Sequence, residues 1–382
     1  MKEGEYAMFE EMLAVADIKI NGNRPWDIQI HDTAVFNRVL TDGSLGFGES
    51  YMDKMWDCDD IAEMISRVLA SKIDKKLDLK KKLVLGAHIG KSKVKKFFNP
   101  QGTSLSKKNV QFHYDIGNDL YKAMLDKRMT YTCAYWDNSD NLDDAQEAKL
   151  DLICKKLDLK PGMRILDIGC GWGSFMIYAA EKYGVTCDGL TLSEEQAKLG
   201  SLLVDEKNVP VNFILKDYRL YEPYEKYDRI VSVGMLEHVG SSNYSDFFKC
   251  ANKLMKDDAI FLLHTIGSFE STTTNDPWIH KYIFPNGEIP SLAQLSIAME
   301  PAFNMEDLHN IGQSYDLTLC AWYENFHKAW TTKQIDYDER FYRMWKYYLL
   351  SCAGAFRCRD LSVWQMSLTK VGTKSPNGRR VG

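Results

Sequence analysis

The amino-acid sequence predicts an α/β fold, a mostly parallel sheet covered by helices on both faces, with a smaller mixed α/β domain ahead of it. Three observations predict it. From about residue 160, short β-rich runs alternate with helical stretches, as they must where parallel strands need crossover helices. The first such run ends directly in a glycine cluster, Asp167-Ile168-Gly169-Cys170-Gly171-Trp172-Gly173-Ser174. The chain has 382 residues, too many for one typical domain and suited to two.

Taken in order, residues 1 to about 70 carry short apolar runs and turn signals, Asn21-Gly22-Asn23 and Asp42-Gly43, then a helical stretch at Ile61–Leu69. They read as an N-terminal domain over 1–85. Glycines and Pro100 among lysines mark 86–110 as a basic linker. The remainder, 111–382, reads as the catalytic domain. Its strands are expected at Arg164–Ile168, Val185–Leu190, Val211–Leu215, Ile230–Val233 and Ile260–His264. Helices are expected at Ser174–Lys182, Glu194 to about Glu206, and Tyr244–Leu254. In such sheets ligands lie beyond the carboxyl ends of the strands, so the residues just after each strand carry the information.

Hydrophobic residues make up 45% and charged residues 26%, which excludes a disordered tail, a collagen-like fibre and a small disulfide-stapled module. No run approaches the roughly 18 to 20 apolar residues of a spanning helix, and the acidic start does not read as a secretory leader. Nine scattered cysteines predict free thiols in a reducing cytoplasm. No CxxC or close Cys/His cluster offers a metal site. The net charge of −5 conceals a basic block. Between Lys72 and Lys108, twelve Lys face only Asp74 and Asp78, a local +10 that leaves −15 elsewhere. One reading is a solvated helix face. The lysines alternate with Leu77, Leu79, Leu83, Val84, Leu85, Phe97 and Phe98, which also suits an anionic bilayer, each Lys contributing about 1 kcal/mol there. Nucleic acid is not the expected partner, for no zinc-finger, RNP or KH signature is present.

The glycine cluster reads G-x-G-x-G-S after an acid; it is neither a dinucleotide G-x-G-x-x-G nor a phosphate loop with its Lys. It resembles the S-adenosylmethionine-dependent methyltransferases. The resemblance implies that Asp167 faces the cationic methionine end while Gly169, Gly171 and Gly173 let the nucleoside approach. At the second strand end, Ser193 reads as an N-cap with Gln196 completing a capping box. Thr191 stands where many methyltransferases have an acid for the ribose, so Thr191 and Gln196 are candidate contacts there. Asp217, Tyr218 and Arg219 end the third strand, where the adenine is expected.

More specific strings follow. Gln111-Phe112-His113-Tyr114-Asp115-Ile116-Gly117-Asn118-Asp119, Met129-Thr130-Tyr131-Thr132-Cys133-Ala134-Tyr135-Trp136, Val233-Gly234-Met235-Leu236-Glu237-His238-Val239-Gly240, His264-Thr265-Ile266-Gly267 and the run Trp278 to Gly287 closely resemble cyclopropane-fatty-acyl-phospholipid synthases over about 110–365. The long N-terminal region is similar to the phospholipid-acting branch rather than to the shorter relatives acting on mycolic acid precursors. The resemblance implies a Rossmann-like methyltransferase fold with a seven-stranded sheet. It implies methylene transfer from S-adenosylmethionine to the cis double bond of unsaturated phospholipid acyl chains, by a homodimer peripheral to the inner face of the membrane. A bound bicarbonate ion is implied as the base, held by Cys133, Glu237, His264, the Ile266 amide and Tyr315. Glu237 as the direct base stays open beside it. Tyr131 and Thr132 are implied near the methionine tail, with His113 and Tyr114 closing the cofactor site. Cys352 matches a family cysteine, although the chemistry needs no covalent intermediate and structural burial is the competing reading. A related lipid C-methyltransferase that leaves a methyl or methylene branch is the alternative activity, and a membrane-surface binding protein with a decayed site is a third reading.

Overall fold

The computed structural model describes residues 3–72 and 117–373. The lysine block beyond Lys72, the linker, His113 and Tyr114 lie outside the described residues. The chain divides into two compact units.

The described part of the first unit comprises residues 3–72, Asn275–Pro285 and Asp316–Leu361. It holds helices Glu3–Val15, Ala34–Asp42, Ser44–Met52 and Ile61–Ser71 and a small antiparallel sheet of β1 (Gln29–Ile30) and β2 (Trp56–Asp57). Helix Ile61–Ser71 starts where Asp60 accepts the Glu63 amide at 2.9 Å, an N-cap that satisfies one orphan donor. It buries Ile61, Ala62 and Met64 against helix Glu339–Arg357. The approach is close: a Cβ on Gly354 would lie 2.5 Å from the Ala62 carbonyl oxygen. The sequence division at residue 110 assigns helix Glu339–Arg357 to the catalytic segment, whereas by its contacts it belongs with the N-terminal helices. Its buried face of Trp345, Tyr348 and Leu349 needs those helices to leave water.

The second unit contains the large sheet. β3 (Arg164–Ile168), β4 (Thr186–Thr191), β5 (Val211–Leu215), β6 (Tyr227–Val233), β7 (Met255–Ser268), β8 (Phe303–Asn310) and β9 (Leu361–Lys370) are ordered β5-β4-β3-β6-β7-β9-β8. The pairs β3–β4, β4–β5, β3–β6 and β6–β7 are parallel, and β8–β9 is antiparallel. Strand alternation sorts the core into two layers. Leu166, Ile168, Phe261 and Leu263 face one side with Phe247 and Phe248 of helix Tyr244–Leu254. Ile165, Ile260 and Leu262 face the other with Ile153, Phe175 and Met176. This is the α/β fold the sequence predicts, with seven strands.

Several boundaries differ: β4 lies one residue later than expected, at Thr186–Thr191, and helices Ile61–Ser71 and Ser174–Tyr183 run one or two residues further. β6 begins at Tyr227, because Tyr227 pairs with Met255 before the register shift at Arg229. β7 starts at Met255 and runs four residues past His264 to Ser268, so His264 lies inside the strand rather than at its end. Helix Glu194–Lys207 ends one residue later than expected, capped by Asn208 in the left-handed region.

Candidate active site

The turn after β3 is shaped by a carbonyl and a side chain. The amides of Gly169 and Cys170 both donate to the Leu190 carbonyl, at 2.9 and 3.0 Å. Gly169 has φ +85°, and a Cβ there would lie 2.4 Å from Met235 Cγ; only glycine meets both conditions. The turn opens a cavity at the carboxyl ends of the strands. Asp167, Gly169 and Gly171 line it from β3, Thr191 and Gln196 from β4 and its helix, and Asp217, Tyr218 and Arg219 from beyond β5. Tyr131 and Thr132 line it from the segment that precedes the sheet. Gly173 is the N-cap of helix Ser174–Tyr183 and stands one step behind the lining.

The polar groups in this cavity are arranged differently from the sequence reading. Ser193 Oγ accepts the Gln196 amide at 3.2 Å, but the Gln196 side chain does not return to Ser193. Gln196 Oε1 accepts from Thr191 Oγ1 at 2.9 Å, and Thr191 Oγ1 accepts the Ser193 amide at 3.1 Å. The expected capping box is therefore half formed, since Thr191 takes the amide that Gln196 would have capped. Asp217 is held by Arg219 in a fork, Nε at 2.9 Å and Nη2 at 2.6 Å. That pairing fixes the carboxylate's direction. Asp167 is 3% exposed, and its Oδ1 has no partner. Burial pushes its pKa up to about 7, opposed by the positive charge of Lys149.

A second group lies where β6 and β7 run side by side. Val233 pairs with His264, and the Gly234 amide donates to the His264 carbonyl at 2.9 Å. Glu237, in the single helical turn Leu236–His238, accepts the Ile266 amide on Oε1 at 2.6 Å. Its other oxygen, Oε2, is buried without a partner. Burial pushes Glu237 up to about 7, only partly offset by the Ile266 amide. His264 is 2% exposed, with Nδ1 3.3 Å from the Gln365 amide nitrogen. Burial, then the charges of Lys149 and Lys156, hold its pKa well below the usual imidazole value, so the ring is neutral. Cys133 is fully buried, its thiol donating to the Ala134 carbonyl at 3.2 Å and lying 3.9 Å from the Ile311 carbonyl. Tyr315, buried at the start of helix Gln313–Thr331, follows four residues after Ile311.

Glu237 is thus joined to the Ile266 amide, His264 lies two residues before Ile266 on β7, and Cys133 lies by the Ile311 carbonyl, four residues before Tyr315. Cys352 is the remaining candidate. It lies on helix Glu339–Arg357 of the first unit, with its thiol pushed up to about 12 by burial. A reactive cysteine needs the opposite shift.

Sequence reasoning missed Lys149, Met235 and His238, which also line the cavity. His238 is half-buried, and its loss of water contact lowers its pKa to about 4. Lys149 had a signal: it falls with Leu142, Gln146, Leu150 and Ile153 on the buried face of helix Leu142–Lys156. A Lys at helical spacing among core positions is a residue held inside for a reason.

Comparison with known proteins agrees with this architecture. Residues 101–366 match the family model described as mycolic acid cyclopropane synthetase. The chain is 47% identical over 379 residues to the cyclopropane-fatty-acyl-phospholipid synthase of Escherichia coli strain K12, covering 98% of this chain and 95% of that protein. It is 38% identical to cyclopropane mycolic acid synthase 2 of Mycobacterium leprae over 68% of this chain and 93% of that one. Among solved structures, the cyclopropane synthase MmaA2 of Mycobacterium tuberculosis superposes with TM-score 0.64 at 34% identity, covering 69% of this chain and 97% of its own. The mycolic acid cyclopropane synthase CmaA1 in complex with SAH and CTAB gives the same TM-score, identity and coverage. On its sequence, its sheet and these likenesses together, the chain belongs to the cyclopropane synthetase family of methyltransferases.

Proposed function

We propose that the protein transfers a one-carbon unit from S-adenosylmethionine to the cis double bond of an unsaturated phospholipid acyl chain and closes it to a cyclopropane ring. The observation that carries this reading is Glu237. It has one carboxyl oxygen on the Ile266 amide and the other buried without a partner, in a sheet whose glycine turn opens a cavity at the strand ends. Attack by an alkene on a methyl donor leaves a cation on carbon. Completing the ring then demands a base and the exclusion of water, not a nucleophile. Near-full-length identity to the Escherichia coli phospholipid enzyme, against two-thirds coverage by the mycobacterial proteins, favours phospholipid as the acceptor.

S-adenosylmethionine, when bound, supplies an electrophilic methyl group on a sulfonium. The residues lining the cavity suit it: Asp167 toward the positive end, Thr191 and Gln196 toward the ribose, Asp217, Tyr218 and Arg219 toward the adenine. Gly169 and Gly171 keep the turn thin, and Tyr131 and Thr132 lie toward the methionine tail. Bicarbonate, when bound, would supply a weak oxygen base. Cys133, Glu237, His264, the Ile266 amide and Tyr315 would hold it. The residues fit a small oxyanion because Glu237, with its pKa raised to about 7, can carry a proton and donate it from Oε2, and neutral His264 can accept or donate. The Ile266 amide is shared with Glu237 Oε1, so Glu237 also sets where an anion can sit. A second reading, favoured by the unpartnered Oε2, has Glu237 itself remove the proton. Rigorous removal of carbon dioxide from the buffer separates the two, since only the first loses turnover.

Docking on the bilayer falls to the N-terminal domain and the lysines of 72–108. The protein then works as a homodimer on the cytoplasmic face of the membrane. The test of function is incubation with labelled S-adenosylmethionine and vesicles of unsaturated phospholipid, followed by lipid analysis. Label in a product that has gained CH2 and resists mild alkene oxidation supports the reading. Label in an oxidisable methyl- or methylene-branched chain points instead to the related C-methyltransferase activity, and unlabelled lipid overturns both.

A further inference from the structure

Lys149 is 1% exposed and lines the cofactor cavity. Its ammonium donates one hydrogen bond, to Thr132 Oγ1 at 2.8 Å, and it enters no ion pair within 4.0 Å among the described residues. An ammonium has three donors, so two are left without an acceptor in a dry place, which is costly for a buried charge. Two carboxylates lie near enough to act on it, Asp126 and Asp167. Asp126 is engaged elsewhere, since its oxygens accept the amides of Thr130 at 2.7 Å and Arg128 at 3.0 Å and the Thr130 hydroxyl at 3.3 Å. Asp167 leaves Oδ1 bare on the same cavity wall. The cavity therefore holds one unmatched cation and one unmatched acid.

That pairing has a chemical counterpart. The methionine end of S-adenosylmethionine carries an α-ammonium and an α-carboxylate, and the carboxylate is the molecule's only anion. We propose that Lys149 is the recognition residue for the α-carboxylate of the methyl donor, with Thr132 orienting its ammonium and Asp167 taking the α-ammonium. This rests on the cofactor reading above and adds a selectivity to it: the site chooses an amino-acid zwitterion, not a nucleoside sulfonium in general. The competing account is structural, with Lys149 serving only to neutralise Asp126.

Calorimetric titration of the full-length protein with S-adenosylmethionine and with its decarboxylated analogue, which keeps the sulfonium, nucleoside and amine, separates the two. The wild type should favour S-adenosylmethionine by on the order of tenfold or more, as expected of a charge-assisted contact. Lys149→Met should lose most of that preference by weakening S-adenosylmethionine alone, with the affinity for the analogue nearly unchanged. Lys149→Arg, which preserves the charge if Lys149→Met does not fold, should retain a preference for the carboxylate. Equal affinity of the wild type for both ligands overturns the assignment, as does an equal loss for both in the Met variant. A wild type that binds neither removes the cofactor reading itself; binding without discrimination removes only the role of Lys149.

Discussion

The Ile266 amide and Glu237 Oε1 are joined over 2.6 Å, which ties the turn after β6 to the far part of β7. One backbone donor thereby fixes the direction of a carboxyl whose other oxygen, Oε2, is buried. The bond opposes the effect of burial but does not cancel it, so the group stays near neutrality at about 7. A carboxyl so placed can hold or pass a proton at working pH.

Glu237→Gln keeps the shape and an acceptor for Ile266 but removes the titrating proton. Ring formation should fall by at least about a hundredfold, the usual size of a lost acid–base contribution. Affinity for S-adenosylmethionine should stay within a few-fold, because Glu237 is not among the residues lining that cavity. Product analysis and calorimetry on one preparation measure both. Near-normal turnover would remove Glu237 from the chemistry.

The same carboxyl makes stability depend on pH. Its folded pKa of about 7 lies above its ordinary 4.5, so the folded state holds a proton that the unfolded state releases between those values. Stability from this group is full below pH 4.5, falls as pH rises toward 7, and is level above. The range is about 3 kcal/mol at 1.36 kcal/mol per pH unit of difference. Asp167, raised to about 7, adds a change of the same sign, and His238, lowered to about 4, one of opposite sign at the acid side. The contrast between wild type and Glu237→Gln isolates Glu237. Denaturation midpoints from pH 5 to 8 should fall more steeply for the wild type, and parallel curves would contradict the buried acid.

Two glycines of one turn should respond differently to alanine. Gly171 has φ +56° with nothing within 4 Å of where a Cβ would lie, while Gly169 combines φ +85° with Met235 Cγ at 2.4 Å. Gly171→Ala should cost about 1 to 2 kcal/mol for the left-handed backbone alone. Gly169→Ala must also displace Met235 from the cavity wall, so it should cost more and weaken S-adenosylmethionine binding as well. Urea midpoints and ligand titrations on the pair would show it; equal effects would mean that Met235 yields freely.

Cys352→Ala should leave ring formation within a few-fold of wild type. The thiol sits at about 12, so almost none is thiolate at neutral pH, and the reaction proposed has no covalent enzyme intermediate. A loss beyond tenfold with the fold intact, by rate assay and circular dichroism, would restore it as a candidate.

What was legible in the sequence follows from the range of the interactions concerned. β3, β5 and helix Tyr244–Leu254 fall where periodicity and turn residues put them, because local patterning defines a buried strand and its covering helix. The expected cofactor residues nearly all reach one cavity, since parallel topology gathers strand ends. The end of β7 was not legible, because a strand persists while a neighbour remains to pair with, and β9 comes from about a hundred residues later. Thr191 taking the Ser193 amide, and Arg219 taking Asp217, are choices among nearby partners that spacing alone leaves open. Lys149 drew no reading because the helix that carries it was not predicted; its burial with Leu142, Gln146, Leu150 and Ile153 is what sets it apart.

Arg343 accounts for the helix that joins the N-terminal helices from across the sequence, and it is open to test. Its Nε donates to the Tyr51 carbonyl at 2.5 Å, and its Nη2 donates to the Trp56 carbonyl at 2.9 Å and to Asp57 at 2.8 Å. The guanidinium also lies 3.9 Å from the centre of the Tyr51 ring. Arg343→Met keeps much of the apolar stem but leaves two buried carbonyls without this donor and Asp57 without its cation. The expected cost is about 2 to 4 kcal/mol, from two buried carbonyls deprived of a donor; Asp57, about half exposed, adds little because water screens it. Arg343→Lys should recover only part of it, since one ammonium cannot reproduce the planar fork or the ring contact. Urea unfolding of the full-length protein followed by tryptophan fluorescence measures the order: wild type, then Lys, then Met. A Met variant as stable as the wild type would show that apolar packing alone holds helix Glu339–Arg357 in the first unit.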